Sequence, residues 1–434
     1  MLMKKIIVLL LAVLMCISVV ACTPENTTKP AATPESTPET TPEPEKPSEK
    51  TEAMVNMKKE YDDFINYRNY LTNTYKKITE DKELKVLFFG GSLTQGYGSS
   101  DASKTSWRAL TCNWFTTNFP EVNFEFINRA VGESGTFLGT YRLQLDVIDP
   151  APDLIFLEYA INDKYFQSTY NETLSRCETI IREVKQALPE TEIIMLITTD
   201  VGCFGYNKKG ELHIQGQAHE VAGRSYGIST LHVGRLLAKE SDFDTAVFRE
   251  KYAIDIVHLN DDGNSIVFNC VAEYLENSLK NTDFSQVKQE DSSLREDLVS
   301  MSLFDGNRTH IQPNPELLAE SEALGGSGVT YGDKAYTANS YSHGVYVMDS
   351  TEDVLVIKFT GTELALWCNL KNKEYYVSID GGEYITQATT EHSPAVLAKD
   401  LTPGEHIIKF KLKEEGSKVT IGSIFTRDDS LATR

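Results

Sequence analysis

The sequence predicts an α/β domain built on a parallel sheet, followed by a second domain that is all β. Two observations lead to this prediction. Between residues 85 and 280, compact apolar runs alternate with amphipathic segments, as in sheets whose helices cover both faces. From residue 300 to the C-terminus, short apolar runs are separated by turn residues, which is typical of a β-sandwich. A chain of 434 residues has room for two or three such domains.

Residues 1–22 are predicted to direct secretion rather than to fold. Two lysines precede an apolar run over residues 6–20, which is short for a membrane span. The run leads into Val-Val-Ala-Cys at residues 19–22, which resembles a bacterial lipobox, whose cysteine is acylated after cleavage. The alternative is an ordinary secretory signal with an incidental cysteine. We therefore expect a lipoprotein anchored to the cell membrane through Cys22 and facing the extracellular side.

Residues 23–53 are predicted to form a disordered tether between the membrane and the folded domains. They are rich in Thr, Pro and Glu and nearly free of apolar side chains, so they cannot bury enough surface to offset the entropy of ordering. A net charge of −21 disfavours nucleic acid and anionic lipid as partners. The expected membrane contact is therefore made by the N-terminal lipid only.

The α/β domain is predicted over residues 54–285, with a charged helical lead-in at residues 54–83 beside the first strand. The predicted strands are residues 85–90, 122–131, 153–159, 192–198 and 228–233. The predicted helices are residues 105–119, 173–188, 215–226 and 263–279. Ligands bind parallel sheets of this kind at the carboxyl ends of the strands. Side chains that follow the strands are therefore the candidates for a functional site.

Three polar motifs follow the predicted strands or close the domain, and each has a plain structural alternative. Ser92 follows two glycines after the first strand, on a turn that suits either a nucleophile or a phosphate loop without its lysine. Asn162 follows the third strand, where its amide could donate to an oxyanion or cap a helix. Asp255 and His258 are three residues apart, so the carboxylate can orient the imidazole unless it is a surface residue beside a capping loop.

Taken together, these motifs resemble the SGNH hydrolases, also called GDSL esterases. Four blocks occur in the family's order: Gly-Gly-Ser-Leu-Thr at 90–94, Asn-Arg-Ala-Val-Gly-Glu-Ser-Gly-Thr at 128–136, Ala-Ile-Asn-Asp at 160–163 and Asp-Ile-Val-His at 255–258. Gly91 departs from the family's usual acid, and Ala160 from its usual glycine. The resemblance implies a flavodoxin-like, three-layer fold with a parallel sheet flanked by helices.

The resemblance also implies a catalytic triad and an oxyanion hole. Ser92 is then the nucleophile, His258 the general base and later the acid, and Asp255 the residue that orients the imidazole. The implied oxyanion donors are two backbone N–H groups and one side-chain amide, contributed by Ser92, by a glycine of the second block and by Asn162. That block is about one residue longer than the simplest family form, so both of its glycines are candidates, with Gly135 preferred to Gly132. No metal or organic cofactor is implied.

The remaining histidines and cysteines do not predict a metal site. The histidines at 213, 219 and 232 are spread over a helical stretch and a strand, and His219 and His232 are predicted to be structural. Beyond Cys16 and Cys22, five widely spaced cysteines leave the question of a disulfide open. Three of them lie in apolar helical patterns and are predicted to be small core residues: Cys112, Cys177 and Cys270.

The all-β domain is predicted over residues 300–430. Its predicted strands are residues 354–359, 363–367, 375–379, 406–412 and 419–425. The region resembles the jelly-roll domain that accompanies the SGNH domain in some carbohydrate esterases, although that sandwich comes first in two-domain acetylxylan esterases. Four aromatic side chains could present faces to sugar rings, but most are expected to pack internally: Trp367, Tyr375, Tyr376 and Tyr384.

The expected function is removal of acetyl or other short acyl groups from a glycan. An acetylated poly- or oligosaccharide, of plant type, is the expected substrate, because a surface lipoprotein signal and a sandwich domain accompany the esterase motifs. The alternatives are a general carboxylesterase or lipase-like enzyme and an O-acetyl esterase acting on cell-wall or capsule glycan. A binding lipoprotein with a degenerate site is a further alternative, and the intact Ser, Asn, Asp and His argue against it.

Overall fold

The computed structural model describes residues 58–287, 307–332, 344–370, 373–389 and 395–428. The predicted signal segment, the tether and Cys22 lie outside these ranges. Within them, no helix has the length and apolar character needed to cross a membrane. The predicted domain limits stay a prediction, since residues 288–306, between the two domains, are also outside the described ranges.

A six-stranded sheet forms the centre of the first domain. Its strands are, in chain order, β1 (Ile65–Asn66), β2 (Glu83–Gly90), β3 (Asn123–Asn128), β4 (Leu154–Glu158), β5 (Glu192–Leu196) and β6 (Ser229–Leu231). The strand order is β1-β6-β5-β4-β2-β3, and all neighbours are parallel except β1 and β6. Without β1, this is the doubly wound, flavodoxin-like strand order. Successive strands are added on opposite sides of the boundary between β2 and β4, although the strands themselves are parallel. The predicted sheet class is confirmed.

Helices cover both faces of this sheet. They are, in chain order, α1 (Thr72–Lys76), α2 (Ser92–Gln95), α3 (Trp107–Asn118), α4 (Thr136–Leu143), α5 (Ala160–Tyr165), α6 (Tyr170–Ala187), α7 (Phe204–Lys208), α8 (Ile214–Ser225), α9 (Val233–Glu240), α10 (Thr245–Lys251) and α11 (Asp261–Leu279). Side chains alternate between the two faces of a strand. Phe88 packs with α3, α9 and α11, whereas Phe89 packs with α4, α6 and α8. The three-layer prediction is confirmed.

The helical lead-in predicted over residues 54–83 is wrong for most of its described length. Only α1 and the π-helical turn Lys77–Asp81 are helical, apart from one 3₁₀ turn, and β1 lies at the sheet edge opposite β3. Tertiary hydrogen bonds replace helical ones here: Glu273 accepts the backbone N–H groups of Glu60 and Tyr61 at 3.0 and 2.8 Å. Local propensity is a weak prior against such partners, which are distant in sequence.

In its described ranges, the second domain consists of two antiparallel sheets and one helix. Its elements are β7 (Asn307–Ile311), α12 (Pro315–Ala323), β8 (Thr330–Gly332), β9 (Val345–Met348), β10 (Leu355–Thr360), β11 (Glu363–Cys368), β12 (Glu374–Ile379), β13 (Ile385–Ala388), β14 (Ala395–Ala398), β15 (Glu405–Leu412) and β16 (Val419–Asp428). One sheet has the order β10-β15-β12-β13; the other has the order β14-β11-β16-β9-β8, with β7 also paired to β16. Both sheets contribute to one apolar core. The all-β prediction is confirmed, and the jelly-roll connection stays a prediction.

The two domains pack together through α4 and the sheet that contains β11 and β16. Val131, Leu138 and Tyr141 share one buried cluster with side chains of the second domain: Ala365, Trp367 and Phe425. The Tyr141 hydroxyl donates to Glu363, and Arg427 lies 3.4 Å from the same carboxylate. An ion pair between Arg308 and Glu183 adds a second link. Within the described residues, an apolar face of the first domain is therefore covered by side chains of the second domain.

The four aromatic side chains of the second domain have different environments. Trp367 is buried against the first domain, and Tyr375 is buried in the sandwich core. Tyr376 is half-buried and its ring centroid lies 6.4 Å from that of Tyr384, which is exposed. Burial therefore accounts for Trp367 and Tyr375, two of the four, whereas most of the set was expected to pack internally.

Candidate active site

The predicted nucleophile, base and orienting acid form one hydrogen-bonded chain at the carboxyl edge of the sheet. Ser92 is the first residue of α2, directly after β2, while Asp255 and His258 lie in the loop between α10 and α11. The Ser92 Oγ lies 2.9 Å from the His258 Nε2, and the His258 Nδ1 lies 2.7 Å from the Asp255 Oδ2. This is the geometry of a serine nucleophile whose base is oriented by a carboxylate.

The loop itself holds Asp255 in place and keeps it ionised. Its Oδ1 accepts the backbone N–H groups of Val257 and His258 at 2.8 and 2.7 Å. Partial burial opposes ionisation, but these hydrogen bonds and the imidazole outweigh it and lower the pKa of Asp255. An ionised Asp255 fixes the proton of His258 on Nδ1, so that Nε2 is left to accept the Ser92 proton.

The turn that carries Ser92 has no space for a side chain at position 91. The N–H of Gly91 donates to the Glu158 carbonyl at 3.2 Å, and a Cβ on Gly91 would lie 2.4 Å from the Asn162 Oδ1. Gly91, which departs from the family pattern, thus leaves the space that the Asn162 side chain occupies. The same contact places the Asn162 side chain beside the nucleophile turn.

Asn162 and the two glycines occupy different hydrogen-bonding situations. Asn162 is buried in the first turn of α5, and its Oδ1 has no hydrogen-bond partner among the described residues. The Gly132 N–H donates to the Gln95 Oε1 at 3.2 Å. Gly135 caps the N-terminus of α4, and its N–H makes no hydrogen bond to the part of the chain that the structure describes. Gly135 therefore stays the preferred oxyanion donor of the second block.

A buried carboxylate that the sequence motifs did not single out fixes the second block against α5. The Asp163 Oδ1 accepts the N–H and the Oγ1–H of Thr136 at 2.8 and 2.9 Å, and its Oδ2 lies 2.9 Å from the His219 Nε2. A Cβ on Gly135 would lie 2.5 Å from the same Oδ1. His219 is thus structural, as predicted, and Asp163 sets the spacing between the Asn162 and Gly135 candidates.

Glu158 is a second carboxyl that the sequence motifs did not single out, and it contacts the turn that carries the nucleophile. Glu158 ends β4, is fully buried, and accepts the hydroxyl groups of Thr94 and Thr198 at 2.9 and 2.7 Å. Burial raises the pKa of Glu158 to about 7, although the two hydroxyl groups oppose the rise. Because Thr94 lies two residues after Ser92, this carboxyl connects the nucleophile turn to the neighbouring strands.

The other described histidines of the first domain make hydrogen bonds away from the triad. His213 Nε2 lies 3.2 Å from the Ala160 carbonyl, and burial lowers the pKa of His213 to about 4. His232 Nε2 lies 2.7 Å from the Glu220 carboxylate. Among the described residues, no group of three or more His, Cys, Asp or Glu side chains could hold a metal ion. The cysteines of these ranges are free thiols: Cys112, Cys177, Cys203, Cys270 and Cys368.

Comparison with known proteins identifies the catalytic region and the arrangement of the two domains. Residues 88–266 match the GDSL-like Lipase/Acylhydrolase family. A two-domain esterase (CEX) active on acetylated mannans aligns with a TM-score of 0.65 at 16% identity, covering 85% of this chain and 98% of its own. The same esterase co-crystallised with mannopentaose aligns with a TM-score of 0.62 at 15% identity, over 85% of this chain and 98% of its own. The shared fold therefore extends through both domains.

Two further comparisons give less. Axe2, an acetylxylan esterase from Geobacillus stearothermophilus, aligns with a TM-score of 0.39 at 18% identity, over 44% of this chain and 94% of its own. A comparison with curated proteins found no match. The family match confirms the resemblance drawn from the four sequence blocks.

Proposed function

Because residues 88–266 form a domain of the GDSL-like Lipase/Acylhydrolase family and the chain is therefore a carboxylic ester hydrolase, we propose that it removes acetyl groups from a glycan. The observation that carries the proposal is the hydrogen-bonded chain of Ser92, His258 and Asp255, set in a two-domain fold shared with an esterase active on acetylated mannans. The proposed substrate is an acetylated poly- or oligosaccharide of plant type. Other short acyl groups fit the same chemistry.

The reaction begins when the Ser92 Oγ attacks the ester carbonyl while the His258 Nε2 takes its proton. Asp255 stabilises the imidazolium that forms. The tetrahedral oxyanion accepts hydrogen bonds from the Ser92 N–H, the Asn162 amide and the Gly135 N–H. His258 then gives its proton to the departing sugar oxygen, and the acyl group stays on Ser92 as an ester.

Deacylation repeats these steps with water in place of the serine. His258 takes a proton from water as the oxygen of that water attacks the acyl carbonyl, and the second tetrahedral oxyanion occupies the same donors. Collapse of this intermediate releases the free acid, and the proton returns from His258 to Ser92. Acylation and deacylation both use residues of the Ser92 turn, α5, the second block and the His258 loop.

The proposal extends to the site of action. We propose that Cys22 carries lipid and that residues 23–53 hold the folded domains away from the membrane on the extracellular side. The support is the Val-Val-Ala-Cys sequence at the end of the apolar run and the Thr/Pro/Glu composition that follows. Labelled palmitate should be incorporated into the wild-type chain and absent from Cys22→Ser, which should be released into the medium. Equal label in both would refute the anchor.

Acetate release tests the proposed reaction and its substrate class together. The full chain and its Ser92→Ala variant should be incubated with acetylated mannan, acetylated xylan and acetylated peptidoglycan, with acetate measured against time. Release from a plant polysaccharide that depends on Ser92 is the expected result. Release from peptidoglycan alone would move the substrate to cell-wall glycan. Hydrolysis of simple acetate esters with no release from any of the three glycans would indicate a general carboxylesterase.

A further inference from the structure

Tyr97 lies against the proposed catalytic base and remains open to solvent. Its ring centroid is 4.6 Å from that of the His258 imidazole, with the two planes at 69°. The residue is nevertheless 58% exposed, which is the largest value among the exposed large apolar residues of the described ranges. A bulky aromatic ring that contacts the base and is more than half exposed is available to a substrate.

The backbone around Tyr97 is held against the segments that carry the nucleophile and the base. The Tyr97 N–H donates to the Ser92 carbonyl at 3.0 Å, and Gly98, at φ +99°, approaches so closely that a Cβ would lie 2.5 Å from the Leu259 carbonyl oxygen. Two residues further on, the N–H and hydroxyl of Ser100 donate to Asp261 at 2.8 and 2.5 Å. The segment that carries Tyr97 is thus joined to the segment that carries His258, which keeps the backbone of Tyr97 beside the base.

The loop of the base adds further exposed apolar surface. Ile254 and Ile256, on either side of Asp255, are 54% and 45% exposed. Together with Tyr97 they are three of the eight exposed large apolar residues in the described ranges, and all three adjoin the triad in sequence or by contact. Exposed apolar side chains next to the triad are available to contact a bound substrate.

The chemistry of the reaction decides which part of the substrate this surface meets. His258 returns its proton to the oxygen of the departing alcohol, so that oxygen must come within hydrogen-bond distance of Nε2. In a glycan ester the departing alcohol is the sugar ring itself. A pyranose presents a face of C–H groups, which packs on an aromatic ring in the way that other apolar surfaces do.

From these observations we infer that Tyr97 is the binding platform for the sugar that leaves with the ester oxygen. The inference rests on the proposed function and deepens it, because it assigns the leaving-group subsite to a saccharide ring. The acyl group then lies on the other side of the carbonyl, and Tyr97 makes no contact with it. The sugar is thus bound at the Tyr97 ring, and its oxygen is protonated by the neighbouring imidazole ring of His258.

The test compares two acetate esters that differ only in the leaving group. The full-length wild type, Tyr97→Ala, Tyr97→Leu and Tyr97→Phe are assayed for acetate release from an acetylated manno- or xylo-oligosaccharide and from ethyl acetate, whose alcohol has no ring. Tyr97→Ala and Tyr97→Leu should lower kcat/KM for the oligosaccharide by about five- to tenfold and change it less than twofold for ethyl acetate. Tyr97→Phe, which keeps the ring, should remain close to wild type on both.

The other outcomes are distinguishable. Equal losses on both esters would mean that Tyr97 acts only by positioning His258, which overturns the inference. Unchanged kcat/KM for both esters would also overturn the inference. If the wild type hydrolyses ethyl acetate but releases no acetate from any glycan, the proposed function has failed and the inference fails with it. Thermal unfolding of each variant shows whether a loss of activity comes from misfolding. If Tyr97→Ala is unstable, Tyr97→Leu provides the folded variant without an aromatic ring.

Discussion

Replacing Glu158 by glutamine should change how the stability of the protein depends on pH. Glu158 is buried beneath the nucleophile turn, and burial raises its pKa from 4.5 to about 7. A carboxyl whose pKa is raised by folding stabilises the native state below its unfolded pKa. It loses that contribution as the pH rises through the folded pKa. The interval from 4.5 to about 7 corresponds to about 3 kcal/mol of free energy.

Glutamine imitates the neutral acid at every pH, so Glu158→Gln should resemble the wild type near pH 5. Above pH 7, the variant should be the more stable protein, by about 3 kcal/mol relative to that reference. Urea unfolding of both proteins between pH 5 and pH 8.5 measures the difference, and groups common to both cancel. Glu211→Gln, at an exposed site, is the matched control and should show no such trend.

The reasoning would be refuted if the difference between wild type and Glu158→Gln stayed constant over this range. A constant difference would mean that Glu158 is ionised throughout, with its charge compensated by Thr94 and Thr198. The esterase activity gives a second observable. Ionisation of Glu158 alters the acceptor of the Thr94 hydroxyl two residues from Ser92, so the pH–rate profile of Glu158→Gln should differ from wild type near pH 7.

Three further substitutions test the site and the domain contact. Asn162→Ala should lower kcat by about 100- to 1,000-fold with little change in KM, and a loss below tenfold in steady-state kinetics would remove Asn162 from the oxyanion hole. Gly91→Ala places a Cβ 2.4 Å from the Asn162 Oδ1, so it should reduce kcat by more than tenfold; wild-type kinetics would show that the turn relaxes freely. Trp367→Ala opens a cavity between the domains and should cost about 3–5 kcal/mol in denaturant unfolding, whereas a cost below 1 kcal/mol would contradict the packing described for Trp367.

Much of the first domain could be predicted because its signals are local. The central strands are short apolar runs, and the four blocks lie where those strands or the last loop end, so each motif indicated its own position in the sheet. The spacing of Asp255 and His258 allowed a contact between them, and the four blocks in the family's order favoured that contact over a surface carboxylate beside a capping loop. The strand and the two glycines before Ser92 suited either a nucleophile or a phosphate loop, and the same four blocks favoured the nucleophile.

The features that were missed depend on partners far apart in the sequence. The first described residues of the lead-in are not α-helical, because Glu273 accepts the backbone N–H groups of Glu60 and Tyr61, and no local sequence pattern predicts that partner. Glu158 and Asp163 lie beside recognised motifs, but their burial depends on Thr198 and His219, each contributed by another element. Likewise, the exposure of Tyr97 beside His258 is visible only once two loops have met.

The packing of α4 against the second domain also bears on how such proteins can be rebuilt. Val131, Leu138 and Tyr141 belong to the segment that begins with the second block, and among the described residues they share a buried cluster with Trp367 and its neighbours in the second domain. The first domain expressed alone would expose this apolar surface close to its active site and would tend to self-associate. The two halves are therefore poor candidates for exchange with unrelated modules, and a shuffled gene would have to redesign both sides of this contact at once.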